Sequence, residues 1–213
     1  MVTLSKEIES RARAQHLDIG GMLWDGNDTL VLLLPREPGF WKHFTASAEY
    51  QDKAENPLDR WSKHVVGEIA DDLGLGTHFP SDGPPYPPFI RWAKASGRAW
   101  ASPVQMMVHD TAGMMISLRA ALRVPQRLPL APLQKASPCN TCAEQPCLSQ
   151  CPVSALSNDV YDYAGCQAHL HSPAGQDCMS NGCRARVSCP ISQISGRTAA
   201  QSAFHMRAFL RPT

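Results

Sequence analysis

The chain has 213 residues, 43% of them hydrophobic and 18% charged, with a formal net charge of +1. That is enough apolar material for a sizeable core, and so balanced a charge gives no sign of a nucleic-acid binder held by bulk positive charge. The longest aliphatic run, Leu30 to Leu34, stops at Pro35, far short of the roughly 20 apolar residues of a membrane-spanning helix.

Met1 to Ala14 mixes Lys6, Glu7, Glu9, Arg11 and Arg13 and lacks the apolar segment of a secretory signal. A cytoplasmic protein is expected. Leu4, Ile8 and Ala12 predict a helix over residues 4–16, and Gly20-Gly21 is expected to break the pattern. Met22-Leu23-Trp24, a turn at Asp25 to Asp28, and Thr29 to Leu34 predict a β-hairpin. A short helix is expected over Phe40 to Tyr50. Pro57 to Leu73 is a longer one: Pro57 suits a first turn, Leu58, Trp61, Val65, Ile69 and Leu73 form a core-facing stripe, and Gly74 suits the end.

Residues 75–88 hold five prolines and predict an irregular connection. A short helix is expected over Phe89 to Ala95, ended by Gly97. Val104 to Val108 and Met115 to Val124 read as strands around a turn at Gly113, with a helix as the alternative for Met115 to Leu122. The proline-punctuated stretch 125–138 marks a domain boundary. The expected organisation is an α/β domain over residues 1–130, a cysteine-bearing domain over 131–195, and a helical tail over 196–213.

All eight cysteines lie between Cys139 and Cys189. The 57 residues from Cys139 to Ser195 contain six charged side chains and no lysine. Large aliphatics are also sparse there, so something other than a hydrophobic core must hold the segment together. Metal ligation does so, because binding energy becomes folding energy. The first run, Cys139, Cys142, Cys147, Cys151 and Pro152, has the spacing C-x2-C-x4-C-x3-C-P. It resembles the bacterial ferredoxin run C-x2-C-x2-C-x3-C-P, with two residues added between the second and third cysteines.

Three thiolates from one tight loop suit three irons of a cubane, while the fourth, followed by proline, ligates the other cluster in two-cluster proteins. Cys166, Cys178 and Cys183 follow, and Cys189-Pro190 repeats the Cys-Pro closure. By the same crossed logic, two [4Fe–4S] clusters would be held by Cys139, Cys142, Cys147 and Cys189, and by Cys151, Cys166, Cys178 and Cys183. Two four-thiolate zinc sites or a disulfide scaffold would also consume eight cysteines, although a reducing compartment argues against disulfides.

The region 139–190 resembles the two-cluster ferredoxin domain of epoxyqueuosine reductases and reductive dehalogenases, in which a compact first run is followed by an isolated cysteine and a closing group ending in Cys-Pro. The stretch Ala93 to Arg119 is similar in layout to the segment before that domain, and also to the His, Gly and Arg pattern of the cobalamin-processing proteins of methylmalonic aciduria type C. Here Asp110 stands where those proteins have proline. The resemblance implies an α+β chain: a nitroreductase-like α/β N-terminal domain of reduced size, followed by a two-cluster ferredoxin-like domain. It also implies electron transfer as the function.

One alternative is a reductase whose N-terminal domain binds cobalamin or flavin. Another is a binding module with structural clusters. The implied partner is a redox protein or a small-molecule electron donor.

Asp82 lies in the proline-rich loop, 15 residues before Gly97; epoxyqueuosine reductases place a catalytic acid in a similar loop one residue off that distance, with a flanking pattern absent here, and a turn-forming role is the plainer reading. His109, at a strand end, and Arg119 and Arg98 are candidates for a cofactor edge, against ordinary hydrogen bonding and ion pairing. His169 and His171, expected on a surface loop, follow Cys166 and could hydrogen-bond a cluster sulfur. The tryptophans at 24, 41, 61, 92 and 100 suit a pocket or a core. No Gly-rich nucleotide fingerprint is present.

Overall fold

A computed structural model describes residues 3–132, 136–156 and 160–210. The chain is mixed α+β and divides into two compact units: residues 1–98 with 117–135, and residues 99–116 with 136–213. No helix among the described residues is long and apolar enough to cross a membrane.

In the first unit, helix α1 (Leu4–Ala14) buries Ile8 and Ala12. Strands β1 (Leu17–Asp25) and β2 (Asp28–Pro35) form a hairpin with a two-residue turn. The glycine pair does not break β1. Gly20 and Gly21 lie inside it, where the register shifts between Ile19 and Gly21. A Cβ on Gly20 would stand 2.5 Å from Leu34 Cδ2, and one on Gly21 2.7 Å from Ser96 Cβ. Close approach by neighbouring side chains, rather than chain reversal, accounts for both glycines.

The expected helix over Phe40 to Tyr50 is two short ones, α2 (Phe40–Thr45) and α3 (Ala48–Gln51), the second capped by Ser47 accepting from the Tyr50 amide. Helix α4 (Pro57–Leu73) buries Leu58, Trp61, Val65 and Ile69. Trp61 meets Phe40 and Phe44 edge-on at 5.4 and 5.9 Å between ring centres, the geometry aromatic quadrupoles prefer.

The proline-rich connection is not wholly irregular: it opens with strand β3 (Gly76–His78). Helix α5 (Phe89–Ala95) buries Phe89, Trp92 and Ala93. The sheet of this unit is antiparallel throughout, in the order β1-β2-β6-β3, with β6 at Ala120–Val124. Arg123 on β6 ties the hairpin turn to the sheet, donating to Asp25 and Asp28 at 2.7 Å each.

The second unit contains strands β4 (Ala99–Ala101) and β5 (Met107–His109), paired antiparallel. The strands expected over 104–108 and 115–124 are thus displaced, and residues 115–119 are in neither strand nor helix. The physical reason is visible in the carbonyls. Arg186 Nε donates to Met114 O at 2.6 Å, and Arg197 Nη1 donates to Met115 O at 3.0 Å. Guanidinium groups satisfy acceptors that a sheet partner would otherwise take.

After two 3-10 turns (Pro138–Thr141 and Pro146–Leu148) come helices α6 (Tyr163–His171), α7 (Gln176–Asn181), α8 (Arg184–Val187), α9 (Pro190–Ile194) and α10 (Ala199–Phe209). The helical tail is α10, capped by Thr198 accepting from the Gln201 amide, and it packs on α7. Residues 133–135 of the expected boundary, Asp159, and the tail beyond residue 210 lie outside the described residues.

Apolar packing in the second unit incorporates the cysteines. One cluster joins Val104, Val108, Met114, Leu156 and Ala185 to Cys147 and Cys189, and a second joins Leu170 and Met206 to Cys178. Cys183 packs against both.

Candidate metal centres

The short first-run loops are set by prolines and by one cap. Ser137 accepts from the Cys139 amide at 3.2 Å, and Pro138 and Pro146 each begin a 3-10 turn, where a missing N–H costs nothing. These turns bring Cys139, Cys142 and Cys147 to one cavity of about 360 Å³. Cys189, at the start of α9, lines the same cavity.

The fourth cysteine of the run, Cys151, lines a different cavity of about 180 Å³ together with Cys166 on α6, Cys178 on α7, and Cys183 immediately before α8. The eight thiols therefore fall into two sets of four, none shared and none left over.

All eight are free thiols, so no disulfide scaffold is present. Burial pushes the Cys139, Cys147, Cys166 and Cys178 thiols up from their ordinary values, and neighbouring cysteines of the same set add to the effect in each case. Polar groups oppose this locally: Ser137 acts on Cys139, and the Tyr161 hydroxyl hydrogen-bonds Cys166. The Tyr161 hydroxyl is itself raised by burial and by Cys166. The Ala155 amide donates to Cys151 Sγ at 3.2 Å.

Among the described residues, no three His, Cys, Asp or Glu side chains converge to chelate a single metal ion. A tetrahedral zinc site draws each sulfur to about 2.3 Å from one point. A cubane instead takes one thiolate on each of four irons and holds the four sulfurs farther apart. The donor chemistry fits, since iron–sulfur clusters are held by cysteine thiolates.

The remaining candidates have structural partners. Asp82 accepts from the Phe79 amide at 2.8 Å and pairs with Lys63 at 2.9 Å. Burial pushes its carboxyl up, but Lys63 and the Phe79 amide outweigh this and hold it below the usual carboxylate value. Such a carboxylate is ionised at neutral pH and has no proton to give.

His109 is 1% exposed. Its Nδ1 accepts from the amides of Thr111 and Ala112, both at 3.2 Å. Asp110 Oδ1 approaches the same nitrogen at 3.1 Å. Arg119, with a side chain 12% exposed, pairs with Asp59 at 3.6 Å. Arg98 donates to Ile19 O at 2.7 Å. Trp61 and Trp92 are buried in the core, whereas Trp24 is 48% exposed beneath Arg127.

His169 and His171 lie on α6 rather than on a loop. His171 is exposed. His169 lines the second cavity, and its Nε2 is buried with no hydrogen-bond partner among the described residues.

Sequence reasoning missed Tyr161, Met106, Met115, Arg186 and Arg197, which also line the second cavity. They carry no spacing signal, because they reach it from separate elements. No family model, curated protein or solved structure matches the chain.

Proposed function

We propose that the chain is an electron-transfer protein carrying two [4Fe–4S] clusters, one on Cys139, Cys142, Cys147 and Cys189, the other on Cys151, Cys166, Cys178 and Cys183. The observation that carries this reading is the division of eight reduced thiols into two sets of four, each around its own cavity. Such a cluster supplies a one-electron couple whose potential is set by net charge, hydrogen bonds to sulfur, and exposure.

The chain's own residues supply those controls. Ala155 and Tyr161 donate to sulfurs of the second set. Apolar packing around Cys147, Cys178 and Cys189 limits water. Cys183, touching both apolar clusters, gives the two sites a short packed connection.

In the alternative reading, the N-terminal unit is nitroreductase-like and holds cobalamin or flavin next in line for the electron. The carrier reading is preferred because Asp82 and Arg98 are engaged in contacts within the protein; Arg119 pairs with Asp59 at 3.6 Å, and its Nε is buried with no hydrogen-bond partner among the described residues.

The test is anaerobic purification followed by iron and acid-labile sulfide analysis. About eight of each per chain, with a broad absorption near ~400 nm that bleaches on reduction, supports two clusters. Zinc without sulfide overturns the reading. Perturbed cobalamin or flavin bands on adding either cofactor would favour the reductase. Iron–sulfur sites that accept no electron would leave a binding module with structural clusters.

A further inference from the structure

The two cysteine cavities differ in the charge that lines them. Around Cys139, Cys142, Cys147 and Cys189 the only ionisable side chain other than the thiols, among the described residues, is the exposed carboxylate of Glu144. Around Cys151, Cys166, Cys178 and Cys183 three arginines and two histidines contribute to the lining and, among the described residues, no carboxylate does; Asp162 and Asp177 act on Cys166 and Cys178 from outside that lining.

Arg184 is offset by Asp177 at 3.3 Å. Arg186 is different. Partly buried on α8, it donates to two backbone carbonyls, Met114 O at 2.6 Å and Ile116 O at 3.5 Å, and among the described residues no carboxylate pairs with it. A guanidinium withdrawn from water without a counter-ion is costly, and arginine does not escape that cost by losing its proton. The four cysteines that share its cavity bring negative charge to it once they bind metal as thiolates.

We propose that Arg186 is a positioning residue that makes the Cys151, Cys166, Cys178 and Cys183 site the more oxidising of the two, so that an electron entering the unit settles there. The proposal rests on the two-cluster reading above. Reduction adds one negative charge to a site, and a fixed cation nearby stabilises the reduced form more than the oxidised one. The Ala155 amide and Tyr161 hydroxyl act in the same direction, whereas Glu144 acts in the opposite direction at the first site. The exchange balances simply: a one-electron donor, such as a reduced iron–sulfur or flavin protein, loses one electron and the second site gains it. No bond is made or broken, and Arg186 keeps its proton throughout.

The experiment is a redox titration of the iron-loaded full chain followed by electron paramagnetic resonance. Two reduction steps are expected. The step at higher potential should be altered or lost in Cys166→Ser and retained in Cys142→Ser. Arg186→Gln should move that step alone to lower potential, while Arg186→Lys, which keeps the charge but not the fork, should leave it near the parent value.

The inference is overturned if the higher step belongs to Cys142, if Arg186→Gln leaves both steps in place, or if Arg186→Lys shifts the step as far as Arg186→Gln. Should Arg186→Gln fail to load iron, the cysteine variants still decide the order of the two sites. Fewer than about eight irons in the parent protein would defeat the two-cluster reading. Eight irons with the order reversed would defeat only the role given to Arg186.

Discussion

The Ser192 hydroxyl accepts a 2.9 Å hydrogen bond from the buried amide of Met114, fixing the helix that follows Cys189-Pro190 against the chain segment after β5. The neighbouring Gly113, at φ +57°, lies so close that an added Cβ would stand 2.5 Å from the Ser192 nitrogen. Backbone lies on that side, so the clash cannot be relieved by a side-chain rotation. Gly113→Ala should therefore displace Cys189 and lower iron content while the other four-cysteine site survives. Ser192→Ala leaves the Met114 amide buried and unsatisfied, a loss of about 1–3 kcal/mol. Thermal unfolding and iron analysis of the two variants check both expectations.

The two cysteine sets should fail separately. Cys189→Ala should damage the site lined by Cys139, Cys142 and Cys147 and spare the other, although Cys189 is closer in sequence to Cys183. Cys151→Ala should do the reverse, although it belongs to the first run. Electron paramagnetic resonance of the reduced variants tells the two apart. The same residual signal in both variants would contradict the crossed arrangement.

The thiols give the metal-free protein a distinctive pH response. Burial raises Cys139, Cys147, Cys166 and Cys178 above their unfolded values, so the folded state favours the protonated form. Their contribution to stability is fully present below the unfolded thiol pKa, about 8.5, and is lost as pH rises through the folded values. Chelator-treated protein should thus unfold more easily in alkaline solution than at neutral pH. Loaded protein, whose thiolates are already deprotonated and bound, should lack that dependence. Urea titrations at pH 7 and pH 10 compare the two.

Asp82 offers the opposite sign. Its carboxyl is held below the unfolded value chiefly by Lys63, against the opposing effect of burial. Its stabilisation is present above the unfolded carboxylate pKa and disappears as pH falls through the folded one. The pair is half-exposed, so screening keeps the effect small. Asp82→Asn should cost about 0–1 kcal/mol at neutral pH and nothing in strong acid. Its cluster spectra and rates of electron transfer should match the parent's, and a large loss of either would restore Asp82 as a functional acid.

Legibility followed the range of the forces involved. Helix α4 could be read from end to end because its signals are local: Pro57, a stripe at helical spacing, and Gly74. The hairpin turn was legible for the same reason. Helix α1 ends before Gly20-Gly21, but the strand expected from Met22 begins at Leu17, because the two glycines lie inside it and admit Leu34 and Ser96. The strands expected over 104–108 and 115–124 misled because Met114, Met115 and Ile116 give their carbonyls to Arg186 and Arg197, about 70–80 residues away in sequence.

At the cysteines, the sequence by itself determined the eight thiols, the placing of three of them on one short run, and the poverty of charge around them. Covalent spacing limits how far three thiols on a short loop can separate, so no fold is needed to bring them together. Only the tertiary structure decided what lines each cavity. It brought Cys189 beside the first three thiols and Cys151 beside Cys166, Cys178 and Cys183. It packed residues 99–116 with the cysteine unit and left Arg186 without a carboxylate among the described residues. Those relationships arise where separate elements meet, and burial, close packing and the electrostatics of desolvated charge act there irrespective of distance along the chain.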